Sequence, residues 1–187
     1  MHAAEHRAIR ELHATTRELR NHWAKLARTL DCDLLAAGAQ QAAQLLRELD
    51  DRVELQGRPA AQAVGARLAG MRGVSDRFLE RNQAFRTALL DLTHVVTLLR
   101  YLAALAETRN DTELATWHRG WADKLADYER RGREEAERMA ADPDAAIAPA
   151  DDSSVGRAGA KLGLAVGTVG EAFDNSALGR LARRRAT

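Results

Sequence analysis

Arg17 and His22 stand five residues apart in Arg17-Glu18-Leu19-Arg20-Asn21-His22, and both are of a type that acts on phosphoesters. An imidazole moves a proton near neutral pH, and a guanidinium stabilises developing phosphate charge. Glu18 and His22 lie one helical turn apart and offer two ligands for a surface ion. A di-iron site asks for more, because helical bundles hold one with Glu and Glu-x-x-His residues aimed into the core. The histidines are His2, His6, His13, His22, His94 and His118. Only His118 adjoins an apolar stripe. His6, His13, His22 and His94 fall on flanking or exposed positions, and no carboxylate falls on a stripe in the first three helices. The chain also lacks a Gly-x4-Gly-Lys-Ser/Thr loop, a Ser/His/Asp or Cys/His arrangement and any zinc spacing. No metal or cofactor is expected, and Cys32 reads as a small residue at a helix junction.

The Arg-x4-His spacing of Arg17 and His22 resembles the RNase motif of the HEPN superfamily, whose members are helical bundles. The resemblance covers six residues and implies RNA cleavage by those two side chains. The competing reading is a solvated helix face. It comes first, because 25 Arg and six His produce this spacing by accident.

The elements that would position these residues are helices. Ile9, Leu12, Thr16, Leu19, Trp23, Leu26 and Leu30 follow 3-4-3-4 spacing and predict a helix over 3–30. Asp31 and Asp33, both good N-cap residues, break it. Leu35, Ala39, Ala42, Leu46, Leu49 and Val53 form a second stripe, ending at Gly57-Arg58-Pro59. Val64, Met71, Phe78, Phe85, Leu92 and Leu99 recur every seven residues, with Leu68, Leu89, Val96 and Ala103 in the second seam. Gly65, Gly70 and Gly73 weaken the first part of that run. Ser75 can cap a new start, so the main third helix is expected over about 75–108. Asn110-Asp111-Thr112 is a turn and cap. A fourth helix over about 112–141 carries Leu114, Trp117, Trp121, Leu125 and Tyr128 on its stripe. Trp117 and Trp121 are expected to pack between the first and fourth helices, with a ligand-stacking pocket as the sharper alternative. Thr16 and Asn82 are polar seam residues that can fix register.

Residues 1–142 therefore read as an all-α, antiparallel up-down four-helix bundle. Residues 143–154 have the composition of a linker. Residues 155–187 read as a Gly-spaced helix and basic tail. Gly159, Gly163 and Gly167 lie on one helical face and let two backbones approach closely. Arg180, Arg183, Arg184 and Arg185 put four charges in six residues.

Composition bounds the function. The chain has 187 residues, with 28 Lys+Arg against 27 Asp+Glu, a net charge of +1. A balance this even exerts no global pull on nucleic acid, so nucleic acid is not the expected partner. No 18-residue stretch is both free of charge and apolar enough to span a bilayer, and no secretory signal stands at the N-terminus. A cytoplasmic location is expected. The ratio of 25 Arg to 3 Lys suggests a GC-rich bacterial genome. The leading expectation is a non-enzymatic interaction or assembly protein. Its partner-binding residues are Gly159, Gly163, Gly167, Arg180, Arg183, Arg184 and Arg185, and they engage a protein partner or another copy. The alternatives are the RNase reading on Arg17 and His22 and a membrane-associating protein acting through residues 155–187.

Overall fold

The structure is a computed structural model that describes residues 2–52, 79–151 and 153. The named elements within them are all helical. Helix α1 spans Ala3–Leu30 and α2 spans Asp33–Arg52. Helix α3 spans Arg81–Thr108 and α4 spans Thr112–Arg138. A 3-10 turn at Met139–Ala141 leads to the short α5, Pro143–Ile147.

Local chemistry fixes these ends. His2 caps α1 by accepting the Ala4 N–H on Nδ1 at 3.1 Å. Asp31 takes a left-handed conformation at φ 53°, and the following Cys32 N–H returns to the Ala27 carbonyl at 3.0 Å. Asp31 thus closes α1 in the manner usually reserved for Gly or Asn, and does not start α2 as its residue type suggests. At the α3–α4 turn Asn110 is also left-handed, at φ 60°, and Asp111 caps α4 through the Leu114 N–H at 3.1 Å. Asp142 caps α5 by accepting from Ala145 N–H, with Pro143 at its first turn. Helix α3 begins at Arg81; the expected start at Ser75 lies outside the described residues.

The stripes read from the sequence are the core. Ile9, Leu12, Thr16, Leu19, Trp23, Leu26 and Leu30 are all buried, as are Leu35, Ala39, Ala42, Leu46 and Leu49. Phe85, Leu89, Leu92, Val96, Leu99 and Ala103 of α3 join them, with Trp121 and Leu125 of α4, while Leu114, Trp117 and Tyr128 of the fourth stripe are half-buried. Val53, Val64, Leu68, Met71 and Phe78 lie outside the described residues. Full burial of each large apolar side chain stabilises by about 1.5–3 kcal/mol, so these stripes carry most of the folding energy.

Trp23 joins three helices. Its ring lies where a Cβ on Gly38 of α2 would sit, and its Nε1 donates to the Ala88 carbonyl of α3 at 3.0 Å. Gly132 of α4 receives Leu89 of α3 in the same way.

Contacting pairs give the helix directions. Glu11 meets His94, Trp23 meets Ala88 and Leu30 meets Arg81, so α1 and α3 are antiparallel. His13 meets Asp50 and Trp23 meets Gly38, so α1 and α2 are antiparallel too. Thr93 meets Glu129 and Glu107 meets Arg119, which makes α3 and α4 antiparallel. Helices α2 and α3 therefore share a direction. Helix α2 ends near the level of His13 and α3 begins near Leu30, roughly 25 Å along α1 at 1.5 Å per residue. The end of α2 and the start of α3 therefore lie at opposite levels of the bundle.

Residues 143–150, which have the composition of a linker, are built into the body. Ala146 and Ala150 are buried, Ala150 N–H donates to Leu79 O at 3.0 Å, and Arg81 N–H donates to Ala148 O at 2.9 Å.

Helix α3 is long and apolar enough to cross a bilayer by length and composition, with a mean hydropathy of 1.5 over its best 18-residue window. Half of that window is buried inside the bundle.

Candidate interaction surface

The polar side chains that could do chemistry are engaged between helices. His22 Nδ1 lies 2.7 Å from Asp91 Oδ2, across the α1–α3 interface, and both side chains are nearly buried. His22 was expected on a flanking position. Its place beside α3 comes from the carboxylate, since a buried charge needs a partner. Glu5 is buried as well and meets the Arg109 guanidinium at 2.7 Å. Asp91 and Glu5 correct the expectation that the first three helices place no carboxylate on their inner faces. A single acidic residue beside a stripe gives no sequence signal of its own. Its partner lies 69 or 104 residues away in the chain.

Glu48 of α2 gathers a second group. Its Oε2 accepts Trp117 Nε1 at 3.0 Å and Trp121 Nε1 at 2.8 Å, and its Oε1 accepts Gln44 Nε2 at 3.0 Å. Lys124 Nζ lies 4.6 Å from the centre of the Trp121 ring. Burial pushes the Glu48 carboxyl up. The hydrogen bonds from Trp121, Trp117 and Gln44, with the Lys124 charge, outweigh it and hold the group below its ordinary 4.5. The two indoles thus tie α4 to α2, where packing against α1 was expected. His118 is buried, as its place beside the stripe suggested, and stands edge-on to Trp117 at 4.9 Å.

Glu129 does the same for α3 and α4. It accepts Thr93 Oγ1 at 2.8 Å and Arg133 Nη2 at 2.5 Å. Burial raises its pKa, and these partners with the charges of Arg133 and Arg100 bring it below the ordinary value.

Arg17 and His22 are not brought together by α1. Five residues turn an α-helix by about 140° beyond a full circle, so the two leave the axis on different sides. His22 faces α3, and its ring is held by Asp91. Among the described residues no group of three His, Cys, Asp or Glu side chains could hold a metal ion.

One surface of α1 and α2 is open. A groove of about 460 Å³ has a floor of Ala24, Ala27, Ala36, Ala39 and Ala43. Cys32 and the acidic Asp31 and Asp33 stand at the turn end, and Arg20, Arg28 and Gln40 stand on the flanks. The sequence carries no sign of it, because the alanines split between two helices and none is conspicuous alone.

The chain matches no protein-family model, curated protein or solved structure. Function therefore rests on this geometry. Gly159, Gly163, Gly167, Arg180, Arg183, Arg184 and Arg185 lie outside the described residues.

Proposed function

We propose that this chain is a bacterial, cytoplasmic interaction or assembly protein that works without catalysing a reaction. Its body is an antiparallel four-helix bundle. Its Gly-spaced C-terminal helix docks on a protein partner or on another copy. The observation that carries the reading is the Ala-floored groove between α1 and α2, apolar along its base and charged at its rim. An amphipathic helix recognises a partner through such a groove, with apolar contacts below and charges at the edges. The inward carboxylates and His22 support the same reading, since each is engaged in joining two helices.

Light scattering on the full chain over a range of concentrations tests self-association. The expected result is a mass that rises above the monomer's 20.5 kDa with concentration. Gly163→Arg should return it to the monomer, because a long charged side chain prevents close approach of a Gly face. A monomer at every concentration, unchanged by Gly163→Arg, would count against assembly through this segment.

A further inference from the structure

Helix α3 carries two stripes, and the bundle buries one. The inward stripe, Phe85 to Ala103, packs against α1 and α4. On the other side Thr87, Leu90, His94, Thr97, Tyr101 and Ala104 repeat with 3-4-3-4-3 spacing. At about 100° per residue they fall within about 50° of one line. Asp91 on one flank meets His22 of α1 and Thr93 on the other meets Glu129 of α4, so the line points away from both helices. Leu90 is 67% exposed and Tyr101 47%. No Lys, Arg, Asp or Glu stands on this line. The exposed positions of α4 differ, with Glu113, Arg119, Asp123, Lys124, Asp127 and Arg130 among them. A solvated helix face carries charge, whereas an uncharged 3-4 stripe is the seam of a helix pair.

We propose that a second copy of this chain packs on this face, α3 against α3, antiparallel about a two-fold axis between His94 and Thr97. In a two-fold contact the same residues meet on both sides. Leu90 then lies level with the partner's Tyr101, His94 with the partner's Thr97, and Thr87 with the partner's Ala104.

Charge selects the register. Arg86, Thr93, Arg100 and Glu107 run at seven-residue intervals along the α4 side of the stripe. In this alignment Arg86 stands beside the partner's Glu107, and Arg100 beside the partner's Thr93. Glu107 meets Arg119 of its own α4, and both side chains are about half exposed, so the carboxylate is within reach of a second cation. Sliding the helices by one heptad, about 10.5 Å, sets Arg100 against the partner's Arg100 in one sense and Arg86 against the partner's Arg100 in the other. A parallel pair sets Arg86 level with the partner's Arg86. The stripe is mild, Leu and Tyr among Thr and Ala, so the dimer is of the reversible kind. The proposal gives self-association a face within the body and leaves the Gly-spaced segment to a protein partner.

Light scattering of the full chain over a concentration range should rise from 20.5 kDa to twice that mass and stop there. Leu90→Glu should weaken the dimer at least tenfold with the melting temperature of the dilute monomer unchanged. Arg86→Glu should weaken it about threefold or more, and adding Glu107→Arg should restore it, because the exchanged charges meet again across the axis. Disulfides read the direction, in chains carrying Cys32→Ser. Mixed Leu90→Cys and Tyr101→Cys chains should link to each other at least tenfold faster than either links to itself, since position 90 lies eleven residues, about 16.5 Å, from the partner's 90. A monomer at every concentration, a dimer indifferent to Leu90→Glu, no rescue by the charge exchange, or self-linking as fast as mixed linking would overturn the proposal. A dimer lost in Gly163→Arg and kept in Leu90→Glu would overturn it and leave assembly through the Gly-spaced segment standing. The reverse pattern supports the proposal and counts against that segment as the seat of self-association.

Discussion

Replacing Glu48 by Gln keeps its shape and removes its charge, which isolates the value of the carboxylate that joins α2 to α4. Hydrogen bonds to a charged group contribute roughly 1.5–3 kcal/mol, against about 0.5–1.5 for neutral pairs. Two indole N–H groups reach Oε2, at 3.0 and 2.8 Å. Loss of the charge should therefore cost about 2 kcal/mol, reduced to about 1–2 because the carboxylate is partly exposed and screened. Glu48→Leu should cost more, about 3 kcal/mol, since it also strands the N–H of the buried Trp121. Urea unfolding followed by tryptophan fluorescence reads both, because the donors are themselves the probe. In melting temperature the Gln variant should fall by about 2–6 °C. The sign with pH follows from the lowered Glu48 pKa. Its contribution is fully present above the ordinary value of 4.5 and is lost as pH falls through the lower, folded value. The gap between wild type and Glu48→Gln should therefore close in acid below that point. A Gln variant within about 0.3 kcal/mol of wild type at neutral pH, or a gap that widens in acid, would refute the reasoning.

Three more outcomes are expected. His22→Ala takes the imidazole from the buried Asp91 and should cost about 3 kcal/mol, while the double variant His22→Leu, Asp91→Leu should recover most of it in the same urea measurement. The hydroxyl of Thr16 is fully buried and finds no hydrogen-bond partner, so Thr16→Val should raise stability by about 1 kcal/mol, read as a rise in melting temperature. Gly38→Ala should lower stability by about 1–2 kcal/mol although Ala is the better helix former, because the new Cβ meets the Trp23 ring; a gain of about 1 kcal/mol would show that the ring shifts freely.

The helices were legible because their signal is periodic and local. The first stripe, Ile9 to Leu30, marks both the face and the length of α1, and every member is buried. The turn at Asp31 was legible in place and not in mechanism, since a left-handed Asp closing a helix looks in sequence like an N-cap opening the next. Pairings between distant residues were not legible. Asp91 does not announce His22, and Glu48 does not announce two indoles about 70 residues away. Helix direction was hidden for the same reason, because an apolar stripe specifies a face to bury and is indifferent to the partner's sense. Residues 143–150 have the composition of a linker, and composition gives no sign that Ala146 and Ala150 are buried or that backbone bonds join the segment to Leu79 and Arg81.

The interfaces divide the task of setting register in two ways, and the division explains where the open surface lies. Helices α1 and α3 are fixed by Glu5–Arg109 and His22–Asp91, α3 and α4 by Thr93–Glu129, and α2 and α4 by Glu48 with its two tryptophans. Each is a directional tie that a sliding helix would break, and an isolated buried charge would then oppose the slide by several kcal/mol. The α1–α2 pair depends on shape, through the Trp23 ring over Gly38, with His13–Asp50 as a longer tie at 3.4 Å. Helices brought this close by a missing Cβ need small residues beside the contact. Ala24, Ala27, Ala36, Ala39 and Ala43 supply them and, being short, leave a groove between the two helices. The depression is thus a consequence of how this one pair is packed.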